Sequence, residues 1–90
     1  MKLYTIKFAN GLYLRFADNR PRGKRLGRPM TSDISDARIH HRPEDLVFSI
    51  EGAKDLYPED YKATLENGGG SYKLIEVKIS EVGINDRART

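Results

Sequence analysis

The chain has no cysteine. That excludes disulfides, thiolate metal sites and a cysteine nucleophile, so its core must rest on burial alone. It has no apolar run near the roughly 18 residues that cross a membrane, and Met1–Lys2 leads into an alternating stretch instead of an apolar leader core. These absences predict a soluble, cytoplasmic protein with no membrane partner. Histidine is scarce too: His40 and His41 are the only two. As neighbours in an extended segment they point to opposite faces and cannot chelate one metal. A single histidine beside Asp36 or Glu44 has the chemistry of a general base, but no nucleophile, base and orienting group can be assembled around it. The glycine-rich pieces "RGKRLG" and "GGG" lack the strand–loop–helix frame and the spacing of phosphate-cradling loops. Asp33 and Asp36, three apart in a turn-forming stretch, read as capping groups rather than the start of a cation site. No cofactor and no metal is expected, and the chain reads as non-enzymatic.

What is present is charge, unevenly placed. Residues 1–30 hold eight Lys and Arg against Asp18 alone, a balance of +7, while residues 31–90 hold eight against twelve Asp and Glu, a balance of −4. An asymmetry of this kind is a cue for a charged partner. Ninety residues are enough for one thin-cored domain and too few for two. We place a single α+β domain over residues 1–82, with a basic loop at 18–30 and a flexible tail at 83–90.

The opening "KLYTIKFANGLYLRF" has two alternating arms around Ala9-Asn10-Gly11. A two-residue loop would scatter its apolar groups over both faces. A three-residue loop sets Phe8 opposite Leu12, Ile6 opposite Leu14 and Tyr4 opposite Phe16, one apolar face, with Gly11 supplying the left-handed residue. Thr31, Ser32 and Asp33 then signal a turn, followed by a short strand near 37–40. Two helix starts follow, Pro43 before Glu44 and Asp45, and Pro58 before Glu59 and Asp60. Leu46, Ile50, Ala53, Tyr57, Tyr61 and Leu65 form a stripe near helical spacing. The first of these segments reads as helix or as strand, since Leu46, Phe48 and Ile50 also alternate and Gly52 weakens a helix; helix is preferred. Gly68 is the expected left-handed cap. "SYKLIEVKISEV" predicts a last strand from Lys73 to Val82, with Ile75, Val77 and Ile79 on one face. The expected architecture is therefore α+β: an N-terminal β-hairpin and a C-terminal strand in a small antiparallel sheet, packed on one or two short helices that cover the hairpin face and the last strand.

The segment "NRPRGKRLGRP" concentrates Arg20, Arg22, Lys24, Arg25 and Arg28 between prolines and glycines. A loop of about a dozen residues without regular structure is uncommon in a compact domain unless it is functional or disordered. Cations spread along such a loop can each meet a phosphate and release counterions. Tyr13 and Arg15, on the outer hairpin face, extend the candidate contact set, although a stacking platform for single strands would carry more aromatics.

The succession "YTIKFANGLYLRF", "SDISDARI" and "YKLIEVKISEV" resembles short uncharacterised accessory proteins of phages and prophages of Gram-positive bacteria. Those share an opening hairpin with Asn-Gly, an Asp-Ile-x-Asp-Ala turn and a closing strand rich in Val or Ile. The basic insert between Phe16 and Thr31 departs from their shorter, often Trp-containing connection, and the resemblance carries over no site residue. It implies a non-enzymatic accessory protein acting in the host cytoplasm by binding and inhibiting or modulating a host protein or ribonucleoprotein of the nucleic-acid machinery, as anti-CRISPR proteins do. Two alternatives stay open from the residues: direct DNA or RNA binding through the basic loop, and a small nuclease-type toxin using His40 or His41.

Overall fold

The computed structural model describes residues 2–16 and 26–78. They form the α+β arrangement expected, a four-stranded antiparallel sheet with helices on one face. Strand β1 (Leu3–Phe8) is central, β2 (Tyr13–Leu14) and β4 (Tyr72–Val77) flank it, and β3 (Met30–Thr31) lies outside β2, giving the order β3-β2-β1-β4. The helices are α1 (Pro43–Glu51), α2 (Ala53–Leu56) and α3 (Pro58–Asn67), with a 3-10 turn at Ile34–Asp36.

The hairpin has the three-residue loop and the register that alternation demands, Lys7 opposite Tyr13. Gly11 takes φ +90, a conformation costly for any residue with a Cβ. The Asn10 side chain accepts from the Leu12 N–H at 2.9 Å and donates to the Asn67 carbonyl at 2.8 Å, so the turn is tied to the end of α3. The expected pair of Tyr4 and Phe16 does not form. After Leu14 the second arm leaves β1: Arg15 bridges to Ala37, the Phe16 N–H donates to the Asp36 carbonyl, and Tyr4 exchanges both backbone hydrogen bonds with His40. Residues 36–40 thus wedge between the arms, and the expected strand at 37–40 exists as two isolated bridges. Asp33 caps the turn before the wedge, accepting from the Ser35 N–H at 2.9 Å, as its spacing suggested.

Segment 43–51 is a helix, and its phase explains why. Leu46 and Ile50, four apart, are buried, while Phe48 between them is 73% exposed; a strand would have placed all three on one face. Pro43 and Pro58 sit in the first turns of α1 and α3, with acids beside them that favour the positive end of the helix dipole. Tyr57 breaks the helix before Pro58 and is exposed, so the stripe loses it; α3 buries Thr64 instead. Gly68 is not the left-handed cap. Its φ is −86, and Gly69 and Gly70 take the positive values, +90 and +102.

The core joins Ile6, Phe8 and Leu14 of the sheet to Leu46 and Ile50 of α1, with Tyr4, Met30, Tyr61 and Tyr72 packed around them. Here the last strand departs from expectation. The register sets Leu3 opposite Val77 and Thr5 opposite Ile75, and residues directly opposite in an antiparallel pair share a face. Ile75 and Val77 therefore lie away from the helices, and Tyr72 and Leu74 are on the helical side. The reason is register: Ile6 meets Leu74, an even-numbered position, so the β-branched set of β4 falls on the far side. The expected extension to Val82, Ile79 with it, and the tail at 83–90 lie outside the described residues.

Candidate functional site

The sheet face away from the helices carries Leu3, Thr5, Lys7, Tyr13, Arg15, Thr31, Lys73, Ile75 and Val77 by register and alternation. It has two ends. At one, Thr5 and Val77 are buried, and Thr5 donates its hydroxyl to the Arg38 carbonyl at 2.8 Å. At the other, near the hairpin turn, Lys73 is exposed and Lys7 and Tyr13 are half-buried. Lys7 and Lys73 stand directly opposite one another on β1 and β4. Like charges in that position destabilise a sheet by a few tenths of a kcal/mol, a cost that a bound anion would remove. The Lys7 ammonium lies 5.6 Å from the centre of the Tyr13 ring, a cation–π distance. A hollow of about 250 Å³ is lined by Lys7, Phe8, Ala9, Ser71, Tyr72 and Lys73.

The nine strand positions of this face hold three cations and no acid, whereas residues 43–67, the helical layer, hold seven Asp and Glu against Lys54 and Lys62. Among the described residues the sheet face is therefore basic and residues 43–67 are acidic; of the cations of residues 1–30, Lys7 and Arg15 lie on that face, and Lys73 joins them from the acidic part of the chain.

The predicted contact residues divide. Tyr13 lies on the basic face with Lys7, and Arg15 follows it on the same side, half-buried. Arg28 belongs to an anchor: its backbone N–H donates to the Thr64 hydroxyl and that of Gly27 to the Asp60 carboxylate, each at 2.8 Å. These bonds fasten the end of the basic segment to α3. Arg20, Arg22, Lys24 and Arg25 lie outside the described residues. Lys7 and Lys73 were missed as site residues. The alternation that placed Tyr13 outward would have found Lys7; finding Lys73 requires the pairing of β1 with β4, sixty-odd residues apart in sequence.

The histidines do not point apart as adjacent strand residues would. Their rings stack at 4.9 Å because the chain bends at His41 on entering α1. His40 Nδ1 accepts from the Arg42 N–H at 3.0 Å, and its Nε2 lies 3.6 Å from the Asp45 carboxylate. Glu44 has its carboxyl held below the usual range by its own backbone N–H and by the Arg42 side chain. This exposed group of charges sits at the first turn of α1, where acids favour the positive end of the helix dipole. Among the described residues, no group of three or more His, Asp or Glu could hold a metal ion, and no helix is long and apolar enough to cross a membrane.

A second cluster is half-buried and structural. The Tyr72 hydroxyl donates to Glu51 Oε2 at 2.5 Å and the Tyr61 hydroxyl to the same oxygen at 3.3 Å, joining the end of α1 to α3 and β4. Burial, and then the hydrogen bond to Glu51, raise the Tyr72 phenol far above its ordinary value of 10.0. Tyr72→Phe should cost about 1 kcal/mol, the low end for a charge-assisted bond because Glu51 is half-exposed to water. The sign with pH follows. Below about pH 10 the phenol is protonated in both states; above it the unfolded chain loses that proton first, so the stability contributed by Tyr72 is lost as pH rises. Urea midpoints measured from pH 8 to 11 should show the gap between wild type and Tyr72→Phe closing only above about pH 10. A gap constant with pH would remove the link to the Tyr72 proton.

No family model matches the chain, and no curated protein or solved structure matches it either.

Proposed function

We propose that this chain is a small non-catalytic binding protein, of the kind phages carry. It uses its basic sheet face, together with the cations of the basic segment, to bind an anionic surface of a host protein or ribonucleoprotein of the nucleic-acid machinery and so inhibits or modulates it. The observation that carries this reading is the separation of charge between the two sides of the fold: Lys7, Lys73, Tyr13 and Arg15 on the sheet, the carboxylates on the helices. A face of one sign steers an oppositely charged partner and repels its own kind.

The test is Lys7→Glu with Lys73→Glu, alone and with Arg22, Lys24 and Arg25 also reversed. Tagged protein incubated with a nuclease-treated Gram-positive lysate should retain a partner that both variants lose. Surface reversals of this kind leave the melt nearly unchanged, within about 0.5 kcal/mol per site. Partner retention by a folded charge-reversed protein would overturn the proposal.

Direct nucleic-acid binding is the second reading, favoured by the paired lysines around one hollow beside an aromatic ring. Three cations on three phosphates give a salt slope of about −2.7, roughly a 40-fold loss of affinity between 50 and 200 mM salt. A gel shift with duplex and single-stranded probes that follows this slope selects the second reading. Capture that survives nuclease, with no shift at low salt, selects the first.

A further inference from the structure

Strand β4 ends the sheet on one side, so one row of its backbone groups faces outward. The neighbours of β1 decide which row. Tyr4 exchanges its backbone bonds with His40, away from β4, so the ladder to β4 is made by the odd-numbered pairs Leu3–Val77, Thr5–Ile75 and Lys7–Lys73. The N–H and C=O groups of Tyr72, Leu74 and Glu76 are left pointing out of the sheet, and among the described residues no second strand pairs with them. An unpaired edge is a template for another extended chain unless the protein blunts it. This one has neither proline nor bulge, and its single cation, Lys73, is balanced by Glu76. The helices do not shield it either, since Leu74 and Glu76 lie on the helical side and are exposed, Leu74 by 37%.

The run is complementary to itself. Val77 is buried, so the accessible stretch is residues 72–76, with Leu74 at its midpoint. Two copies of that stretch, antiparallel about a two-fold axis at Leu74, overlap completely: Leu74 pairs with its own counterpart and Tyr72 with the second copy's Glu76, outward groups bonding outward groups in each pair. The exposed Leu74 side chains then cover one another, and the Lys73 stem lies over the half-buried Ile75 of the second copy. Only registers two residues apart keep the outward groups facing. The next in one direction sets Lys73 directly opposite Lys73, and the next in the other sets it on Val77, which is already covered.

We infer that residues 72–76 of β4 are a homodimer interface, through which two copies join into one continuous antiparallel sheet. Residues directly opposite share a face, so the helices of both copies lie on one side and the two basic faces run together on the other. The two Lys73 residues become diagonal neighbours, roughly 7–8 Å apart. Their repulsion opposes association, and salt screens it. Stacking of the basic face of one copy on the helical carboxylates of another would have the opposite salt dependence. The interface is one short strand a side, at the small end for protein pairs, and holds without any partner on the basic face.

Sedimentation equilibrium of the full chain should show a monomer–dimer equilibrium with a dissociation constant of about 0.1 mM, tighter in about 500 mM salt than in about 50 mM. Leu74→Lys and Leu74→Glu each set like charges opposite one another at the two-fold axis. Each should weaken association at least about tenfold with a melt close to wild type, and an equimolar mixture of the two should recover the dimer, because lysine then faces glutamate. NMR of the labelled wild-type chain needs no variant. Between about 50 μM and 1 mM the amide protons of Tyr72, Leu74 and Glu76 should move downfield, while those of Lys73 and Ile75, already bonded to β1, change little. A monomer at every concentration would leave the edge to a foreign strand and overturn the inference. So would a dimer that survives Leu74→Lys, a mixture of folded variants that does not associate, or association that weakens with salt.

Discussion

Ile6→Ala is expected to cost about 3 kcal/mol of stability and to lower the melting temperature by roughly 12–24 °C. Ile6 is fully buried in the central strand, opposite Leu74 on β4, and belongs to the cluster that includes Leu14, Leu46 and Ile50. That cluster contains only five buried residues, so the three carbons removed have little around them able to relax inward, and most of the cavity term is retained. A chain of this length has about 5–13 kcal/mol in total, so the loss is a quarter or more of it. Leu56→Ala removes an equally apolar side chain from a position 76% exposed and should change stability by no more than about 0.5 kcal/mol. Thermal and urea unfolding of the two variants side by side checks the contrast. Similar losses would mean that the core is not where Ile6 sits.

The second large effect comes from adding one carbon. Gly68→Ala is expected to cost about 2–3 kcal/mol by overpacking. Gly68 has an ordinary φ of −86, so alanine meets no backbone penalty. Its Cβ would lie 2.4 Å from Phe8 Cδ1 and 3.0 Å from Phe8 Cβ, so turning the ring is not enough to relieve the clash. Phe8 cannot retreat easily either: it is buried, in edge contact with Tyr72 at 6.3 Å between ring centres. Gly11→Ala is the control, because it has open space and a φ of +90; its cost is the left-handed backbone alone, about 1–2 kcal/mol. In a Phe8→Leu background the Gly68→Ala penalty should fall by about 1 kcal/mol or more, a coupling that a double-mutant cycle measures. Additive losses would show that the ring is not the obstacle.

The two positions differ in how far local sequence determines them. Ile6 belongs to the core because alternation around a three-residue turn leaves a single apolar face, and only one register satisfies it. Gly68 has the sequence position of a left-handed cap, because glycine after a helix usually serves that purpose, and the structure uses it otherwise. The three consecutive glycines gave no sign that the first is needed for closeness and the next two for φ. The candidate site shows the same division. Tyr13 and Arg15 were legible as outward residues of a strand. Lys73 joins them only through pairing with β1.

The order of bases and acids along the chain, the hairpin and its register, and the two proline-led helix starts followed from local chemistry, since turn geometry, side-chain period and the helix dipole act within a few residues. The register of β4, the wedge of residues 36–40, and the gathering of Lys7, Arg15 and Lys73 onto one sheet face were decided by tertiary contact. A strand's period of two says which of its residues travel together. Which face they reach depends on the strand it meets, and a shift of one residue reverses the answer.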